Sequence, residues 1–92
     1  MEGDLPMYVV LAYDVGTKRV SKVMKTCRKY MAHVQKSVFE GNVTEAKLEK
    51  LKNDLQKILH TDEDSVCIYR ASNLAYLKKE QIGVTKDNSY IV

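Results

Sequence analysis

Hydrophobic and polar residues along this chain predict alternating strands and helices. The first strand is a continuous apolar and aromatic run from Met7 to Tyr13, and Asp14 ends it. Such a run is typical of a central strand covered on at least one face. Gly16 and Thr17 supply a turn and an N-cap, so a helix is expected to begin near residue 17 or 18.

The first helix has two contrasting faces. Its apolar positions follow helical spacing: Val20, Val23, Met24, Cys27, Tyr30, Met31 and Val34. Four lysines fall on the opposite side, at Lys18, Lys22, Lys25 and Lys29. These four residues, called the lysine stripe below, lie on the side of the helix opposite the predicted core face.

The middle of the chain predicts extended structure followed by a second helix. Residues 33–40 are expected to form one bent strand or two short ones, with a turn at Gly41-Asn42. Thr44 is then a plausible N-cap, with Glu45 in the first turn of a helix running to about Leu59.

The last third predicts further strands. An acidic loop over residues 61–64 precedes a strand over residues 65–70, and residues 74–82 resemble another. A terminal apolar segment, residues 90–92, is expected to add to a sheet. Residues 1–92 show no linker or repeat and are expected to form a single domain. The order favours an α+β, ferredoxin-like βαββαβ sandwich: an antiparallel sheet with two helices on one face, plus a C-terminal strand.

Composition limits the class of protein. A chain of 92 residues excludes a two-domain enzyme. It buries only about 60 to 65% of its unfolded surface, so oligomerisation would stabilise it. Cys27 and Cys67 lie in apolar patterns and are interpreted as reduced core thiols. No apolar run is long enough to span a bilayer and the acidic start does not resemble a signal peptide, so a cytoplasmic protein without membrane contact is expected.

Charge is distributed unevenly. The net charge is +3, yet residues 15–39 hold seven basic residues and no acid, which leaves the rest of the chain at −4. The lysine stripe, flanked by Arg19 and Arg28, suits a phosphate backbone. The alternative is an ordinary solvated helix face. Four tyrosines that could stack on bases fit core positions better, so weakly sequence-specific binding is expected: Tyr8, Tyr13, Tyr30 and Tyr69.

Asp14 is the main candidate for chemistry, because an acid that ends a strand before a glycine turn emerges at the sheet edge. The alternative is a turn-forming or capping aspartate. One carboxylate supplies few ligands for Mg²⁺, but a two-fold axis would bring two copies of Asp14 together. His33 and His60 are expected to be surface residues at helix ends. The acids Asp62, Glu63 and Asp64 are interpreted as a solvated loop. No Walker, Rossmann or HExxH motif is present, which excludes the corresponding enzyme classes.

Four features together resemble the CRISPR-associated protein two family over about residues 7 to 82. They are Tyr13-Asp14 at the strand end, the basic helix, the segment VQKSVFEG over residues 34–41, and VCIYR over residues 66–70. One departure is Met31 after Tyr30, where the family often has glycine, so the first helix is expected to run slightly further here.

The resemblance implies a ferredoxin-like homodimer with Asp14 as catalytic residue and metal ligand, one from each subunit, holding Mg²⁺ or another divalent cation. It implies phosphate contacts by Arg19 and Arg28, and the lysine stripe is the remaining candidate nucleic-acid surface. Five residues are implied in dimer or cleft packing: Tyr13, Phe39, Tyr90, Ile91 and Val92. The last three are expected to join the partner subunit's sheet.

Three functions follow as hypotheses. The first is a CRISPR adaptation (spacer acquisition) protein, a metal-dependent endonuclease cleaving RNA or double-stranded DNA at the dimer cleft. The second is a non-catalytic dimeric scaffold that binds duplex DNA and bridges dimers of the larger CRISPR integrase. The third is a small regulatory module with a small-molecule ligand, which the acid-free basic helix disfavours.

Overall fold

The structure is a computed structural model that describes residues 5–71 and residues 80 and 82. Its elements are β1 (Pro6–Asp14), α1 (Thr17–Arg28), β2 (Ala32–Gln35), β3 (Val38–Thr44), α2 (Glu45–Gln56) and β4 (Ser65–Ala71). This order confirms the predicted βαββαβ arrangement. The strands predicted over residues 74–82 and 90–92 lie outside the described residues.

The four strands form one sheet in the order β2-β3-β1-β4, and every neighbouring pair is antiparallel. The strand β1 is central, as its continuous apolar run predicts. This strand order is that of a ferredoxin-like sandwich, so the predicted fold class is confirmed.

One face of the sheet carries the core. In β1 the alternate residues Val9, Leu11 and Tyr13 are buried. Apolar residues of both helices join them in one cluster, notably Val23, Cys27, Leu48, Leu51 and Leu55. The other β1 row, beginning with Tyr8 and Val10, is half-buried and lies on the face that neither α1 nor α2 covers.

The helix α1 ends at Arg28, so the expected extension beyond Tyr30 is wrong. The Met31 N–H still donates to the Cys27 carbonyl at 2.9 Å, and the Met31 side chain packs into the core. Tyr30 donates its hydroxyl proton to the Asp54 carboxylate of α2 at 3.1 Å. A turn therefore places these side chains where another helical turn was expected.

The middle segment forms two strands joined by a turn at Lys36 and Ser37, where Lys36 has a φ of 34°. The predicted turn at Gly41-Asn42 is wrong, because both residues lie within β3. A Cβ on Gly41 would come 3.4 Å from the Met31 Cα. This glycine allows close packing and does not form a turn.

The predicted N-cap of α2 is confirmed, since the Thr44 hydroxyl accepts from the Lys47 N–H at 3.2 Å. The helix ends at Gln56, three residues before the predicted end at Leu59. Ile58 and Leu59 both donate their N–H groups to the Leu55 carbonyl and still pack against the core. Their apolar spacing therefore reflects burial after the last helical turn.

The edge strand β4 departs from two predictions. Cys67 is exposed, and Tyr69 is 60% exposed, because both belong to the row that faces away from the helices. Cys27 is buried as predicted, and both thiols are free. Within the described part of the chain, no helix has the length and apolar character needed to cross a membrane.

Candidate active site at the end of the first strand

Asp14 is the last residue of β1 and its side chain is exposed. It lies opposite Ser65 of β4, and the preceding Tyr13 N–H donates to the Ser37 carbonyl at 3.0 Å. The strand β4 and the turn between β2 and β3 therefore hold the end of β1. The N-cap of α1 is Gly16 without a side-chain cap bond, so Asp14 is not the helix cap. By strand alternation Asp14 belongs to the face of the sheet that the helices leave uncovered.

The lysine stripe begins close to this acid. All four of its lysines are exposed, and so is Arg28. The first turn of α1 holds no acid, and Lys25 and Arg28 lie in its last turn. A helix of 12 residues spans about 18 Å, so the stripe carries positive charge over that length from the Asp14 end of the sheet.

Arg19 has a different environment from the stripe. Its side chain is only 14% exposed. Its Nε donates to Asp64 Oδ2 at 2.5 Å, and its Nη2 donates to Asp64 Oδ1 at 2.9 Å. The same Nη2 donates to Glu63 Oε1 at 3.0 Å. The phosphate contact implied for Arg19 stays a prediction, while the structure gives the guanidinium an intramolecular role.

Asp64 is buried, so its assignment to a solvated loop is wrong, whereas Asp62 and Glu63 are exposed as predicted. Its carboxylate accepts from Arg19 and from the N–H groups of Gly16 and His60, each of these two at 2.9 Å. The Arg19 guanidinium, aided by these N–H groups, holds the pKa of Asp64 well below its usual range although burial alone would raise it. No local pattern signals this role, because Arg19 lies 45 residues away along the chain.

Aromatic rings pack behind the strand ends. Phe39 is fully buried between Tyr13, with ring centroids 6.2 Å apart, and His33, with centroids 4.7 Å apart. His33 is in β2, its Nε2 lying 2.6 Å from the Lys36 carbonyl oxygen, so its expected position at a helix end is wrong. The implied dimer or cleft packing of Tyr13 and Phe39 stays a prediction; in one chain both rings belong to the core. Residues 90–92 lie outside the described residues.

Two other potential nucleophiles, Cys27 and Tyr8, do not suit catalysis. Burial raises the pKa of the Cys27 thiol to about 12, so it carries no thiolate at neutral pH. Burial and a neighbouring Glu40 carboxylate raise the pKa of Tyr8 to about 12. Asp14 therefore remains the candidate for chemistry at this end of the sheet.

The donor set at this end of the sheet suits Mg²⁺ better if two copies share it. Among residues 5–71, 80 and 82, no group of three or more His, Cys, Asp or Glu side chains is placed to hold a metal ion. Mg²⁺ commonly takes one or two carboxylates and completes its shell with water and phosphate oxygens. One exposed Asp14 from each of two copies would satisfy that requirement.

The fold and this site define a class: a small ferredoxin-like domain with an exposed strand-end carboxylate beside an acid-free basic helix. The family model described as CRISPR associated protein Cas2 matches residues 7–79. The chain belongs to this family, and the resemblance seen in the sequence is confirmed.

Individual relatives agree over most of the chain. The CRISPR-associated endoribonuclease Cas2 of Dictyoglomus turgidum is 42% identical, over 88% of this chain and 93% of that protein. The protein of the same name from Pyrococcus furiosus is 44% identical, over 88% of this chain and 93% of that protein.

Solved structures give the same result. A crystal structure titled as cas2 superimposes with a TM-score of 0.79 and 37% identity, over 88% of this chain and 91% of that one. The crystal structure of Streptococcus pyogenes Cas2 at pH 6.5 has a TM-score of 0.73 and 36% identity, over 84% of this chain and 100% of that one.

Proposed function

We propose that this chain is a CRISPR adaptation protein with metal-dependent endonuclease activity, which cleaves phosphodiesters of RNA or double-stranded DNA at a site shared by two copies. The observation that carries the proposal is the exposed Asp14 carboxylate directly before a helix whose exposed face is basic and free of acids. The names of the relatives, which are endoribonucleases, support the activity and do not favour the purely structural alternative.

Asp14 is proposed as the metal-holding residue. Two copies related by a two-fold axis would each contribute one carboxylate. A divalent cation bound there would polarise the scissile phosphate and lower the pKa of a coordinated water. Because Asp14 ends a central strand held by both neighbours, the sheet fixes the backbone that presents the carboxylate.

The uncovered face of the sheet supports a homodimer. An apolar sheet face is stable only when another layer covers it, and this one has half-buried apolar residues such as Val10, Ala12 and Val38. Asp14 belongs to the same row as Val10 and Ala12. A second copy covering this face would therefore bring both Asp14 residues to one cleft, with residues 90–92 proposed to extend the partner's sheet.

The basic residues of α1 are proposed to bind the nucleic-acid backbone. The lysine stripe and Arg28 are exposed and can reach phosphates, whereas Arg19 is engaged by Asp64. Backbone contacts carry affinity but little sequence information, so weakly sequence-specific binding is expected.

We also propose a cellular setting and a partner. The domain, residues 1–92, is proposed to act in the cytoplasm, where its free thiols stay reduced. In spacer acquisition it is proposed to assemble with the larger CRISPR integrase.

The variant Asp14→Asn tests the proposal, because the amide keeps the size of the side chain and removes its charge. We expect Mg²⁺-dependent cleavage of a labelled RNA or duplex DNA to fall about 100-fold or more, with binding and dimerisation retained. Asp62→Asn, an exposed acid elsewhere, is the matched control and is expected to cleave normally. Normal cleavage by Asp14→Asn would show that this carboxylate does not hold the metal.

A further inference from the structure

We infer that the buried Asp64 is a positioning residue for the cleavage site: it holds the link of Val15 and Gly16 that joins Asp14 to α1. Asp64 does so through Gly16 and Arg19, and these three residues are called the Asp64 clamp below. This inference rests on the proposed function, since it assigns Asp64 a role toward Asp14.

Both oxygens of the Asp64 carboxylate are fully used. Oδ1 accepts from the Gly16 N–H and from Arg19 Nη2, each at 2.9 Å. Oδ2 accepts from Arg19 Nε at 2.5 Å and from the His60 N–H at 2.9 Å. A carboxylate has about four acceptor sites, so this side chain is saturated by donors from two separate segments.

These donors surround the backbone that carries Asp14. Gly16 follows Asp14 by two residues, and Arg19 lies in the first turn of α1, where its N–H donates to the Gly16 carbonyl at 2.8 Å. On the other side, the residue after Asp64 is Ser65, which pairs with Asp14 across β1 and β4. The clamp therefore connects the end of β1 to the start of α1 and to the start of β4.

The clamp also replaces a missing helix cap. The N-cap Gly16 has no side chain, and the first turn of α1 contains no acid. Negative charge near a helix N-terminus is stabilising, and here Asp64 supplies it from a distant part of the sequence. Asp64 is thus the side chain that accepts from the Gly16 N–H at the start of this turn.

Gly16 leaves space for the clamp. Its φ of −58° and ψ of 147° are accessible to any residue, so backbone conformation does not require glycine here. A Cβ at this position would lie 2.8 Å from Arg19 Nη2, which Asp64 holds in place. A methyl group would therefore displace the guanidinium, so Gly16→Ala disturbs the clamp without altering Asp64.

The expected effect is on the chemical step. A displacement of about 1 Å at a reacting group can cost about 100-fold in rate. The lysine stripe is exposed and is not part of the clamp, so substrate binding should be preserved. A positioning role therefore predicts a lower kcat at an unchanged KM.

The experiment compares Asp64→Asn and Gly16→Ala with Tyr30→Phe, which removes a hydrogen bond between the turn after α1 and Asp54 of α2. Two quantities are measured: kcat and KM for Mg²⁺-dependent RNA cleavage, and hydrogen exchange of the backbone N–H groups of residues 15 and 16. Both clamp variants are expected to lose about 100-fold in kcat at constant KM, with faster exchange. Tyr30→Phe is expected to leave kcat and KM unchanged, and to leave the exchange rates of residues 15 and 16 unchanged.

Wild-type kcat in the folded clamp variants would overturn the inference, as would a change confined to KM. If Asp64→Asn does not fold, Gly16→Ala and Arg19→Lys test the same clamp with Asp64 intact. Normal cleavage by Asp14→Asn would contradict the proposed function alone. The exchange rates would then decide whether Asp64 holds the link, and unchanged rates would overturn that assignment.

Discussion

Two aspartates at the same end of the sheet have opposite surroundings. Asp14 is exposed at the end of β1, whereas the Asp64 side chain has no exposed surface and accepts hydrogen bonds from Gly16, Arg19 and His60. An exposed carboxylate can exchange water for a cation or a phosphate-bound ion at little cost, while a saturated buried carboxylate cannot. The two acids therefore have different roles: Asp14 is available for a ligand, and Asp64 orders the backbone.

The lowered pKa of Asp64 predicts how stability depends on pH. Because the folded pKa lies below the ordinary value of 3.8, the folded protein binds this proton less readily than the unfolded chain. The contribution of Asp64 is therefore complete above about pH 4 and is lost as the pH falls toward the folded pKa. Urea unfolding of the wild type is expected to lose free energy between about pH 4 and pH 2 more steeply than that of Asp64→Asn.

The control for this titration is Asp62→Asn, in which an exposed carboxylate two residues away is removed. It is expected to keep the wild-type slope. Equal slopes for the wild type and Asp64→Asn would mean that the Arg19 ion pair does not persist in solution.

At the scale of single residues, the sequence marked one of the two acids as a candidate site residue. Asp14 has a local signal, since it directly ends an apolar run. Asp64 stands in an acidic run, and its burial depends on the ion pair with Arg19. In the sequence, Arg19 is grouped with the lysine stripe and gives no sign of this pair. A pairing across 45 residues leaves no periodic pattern in either segment.

The helices differ in how their exposed charges are balanced. On α2, Lys52 donates to Glu49 at 3.2 Å, so acids and bases alternate and pair on its surface. On α1 the lysine stripe has no acid within the helix. Uncompensated positive charge of this kind costs self-repulsion, which an anionic partner relieves.

Charge reversal on α1 tests this surface. Lys22→Glu with Lys25→Glu is expected to weaken nucleic-acid binding and to reduce the slope of log Kd against log salt by about two, one for each lost phosphate contact. Fluorescence anisotropy with labelled RNA and duplex DNA at several salt concentrations measures both. The matched control is Lys50→Glu on α2 with Lys57→Glu at its C-cap, both exposed, and an equal loss there would indicate a response to net charge alone.

The boundaries of elements were less predictable than their existence. Apolar spacing correctly predicted both helices. It continued past the observed ends because Met31 and Ile58, which lie in the turns after the helices, also pack against the core. The Gly41-Asn42 signal failed because glycine there makes room for Met31. Apolar residues can pack into the core from a turn as well as from a helix, and glycine can serve close packing as well as a turn, so a pattern alone does not separate these uses.

On the scale of the whole molecule, the two faces of the sheet support the proposal that a second copy completes the site. One face is covered by both helices, and the other presents half-buried apolar residues in the same row as Asp14. The charge split adds to this arrangement, because residues 15–39 hold seven basic residues and no acid. A pair of such domains would hold two carboxylates in a cleft bordered by two basic helices.

Mixing experiments test whether both carboxylates are needed. Wild-type protein and Asp14→Asn are unfolded together in urea and refolded at varying ratios, so that subunits combine at random. If each site needs Asp14 from both subunits, Mg²⁺-dependent cleavage follows the square of the wild-type fraction and reaches about one quarter at equal amounts. Independent sites would give about one half.

The same mixture with Asp62→Asn is expected to keep full activity, because that acid lies outside the proposed site. A linear dependence on the wild-type fraction would mean that each Asp14 acts alone, and the metal would then have to be held by one carboxylate with water and substrate oxygens.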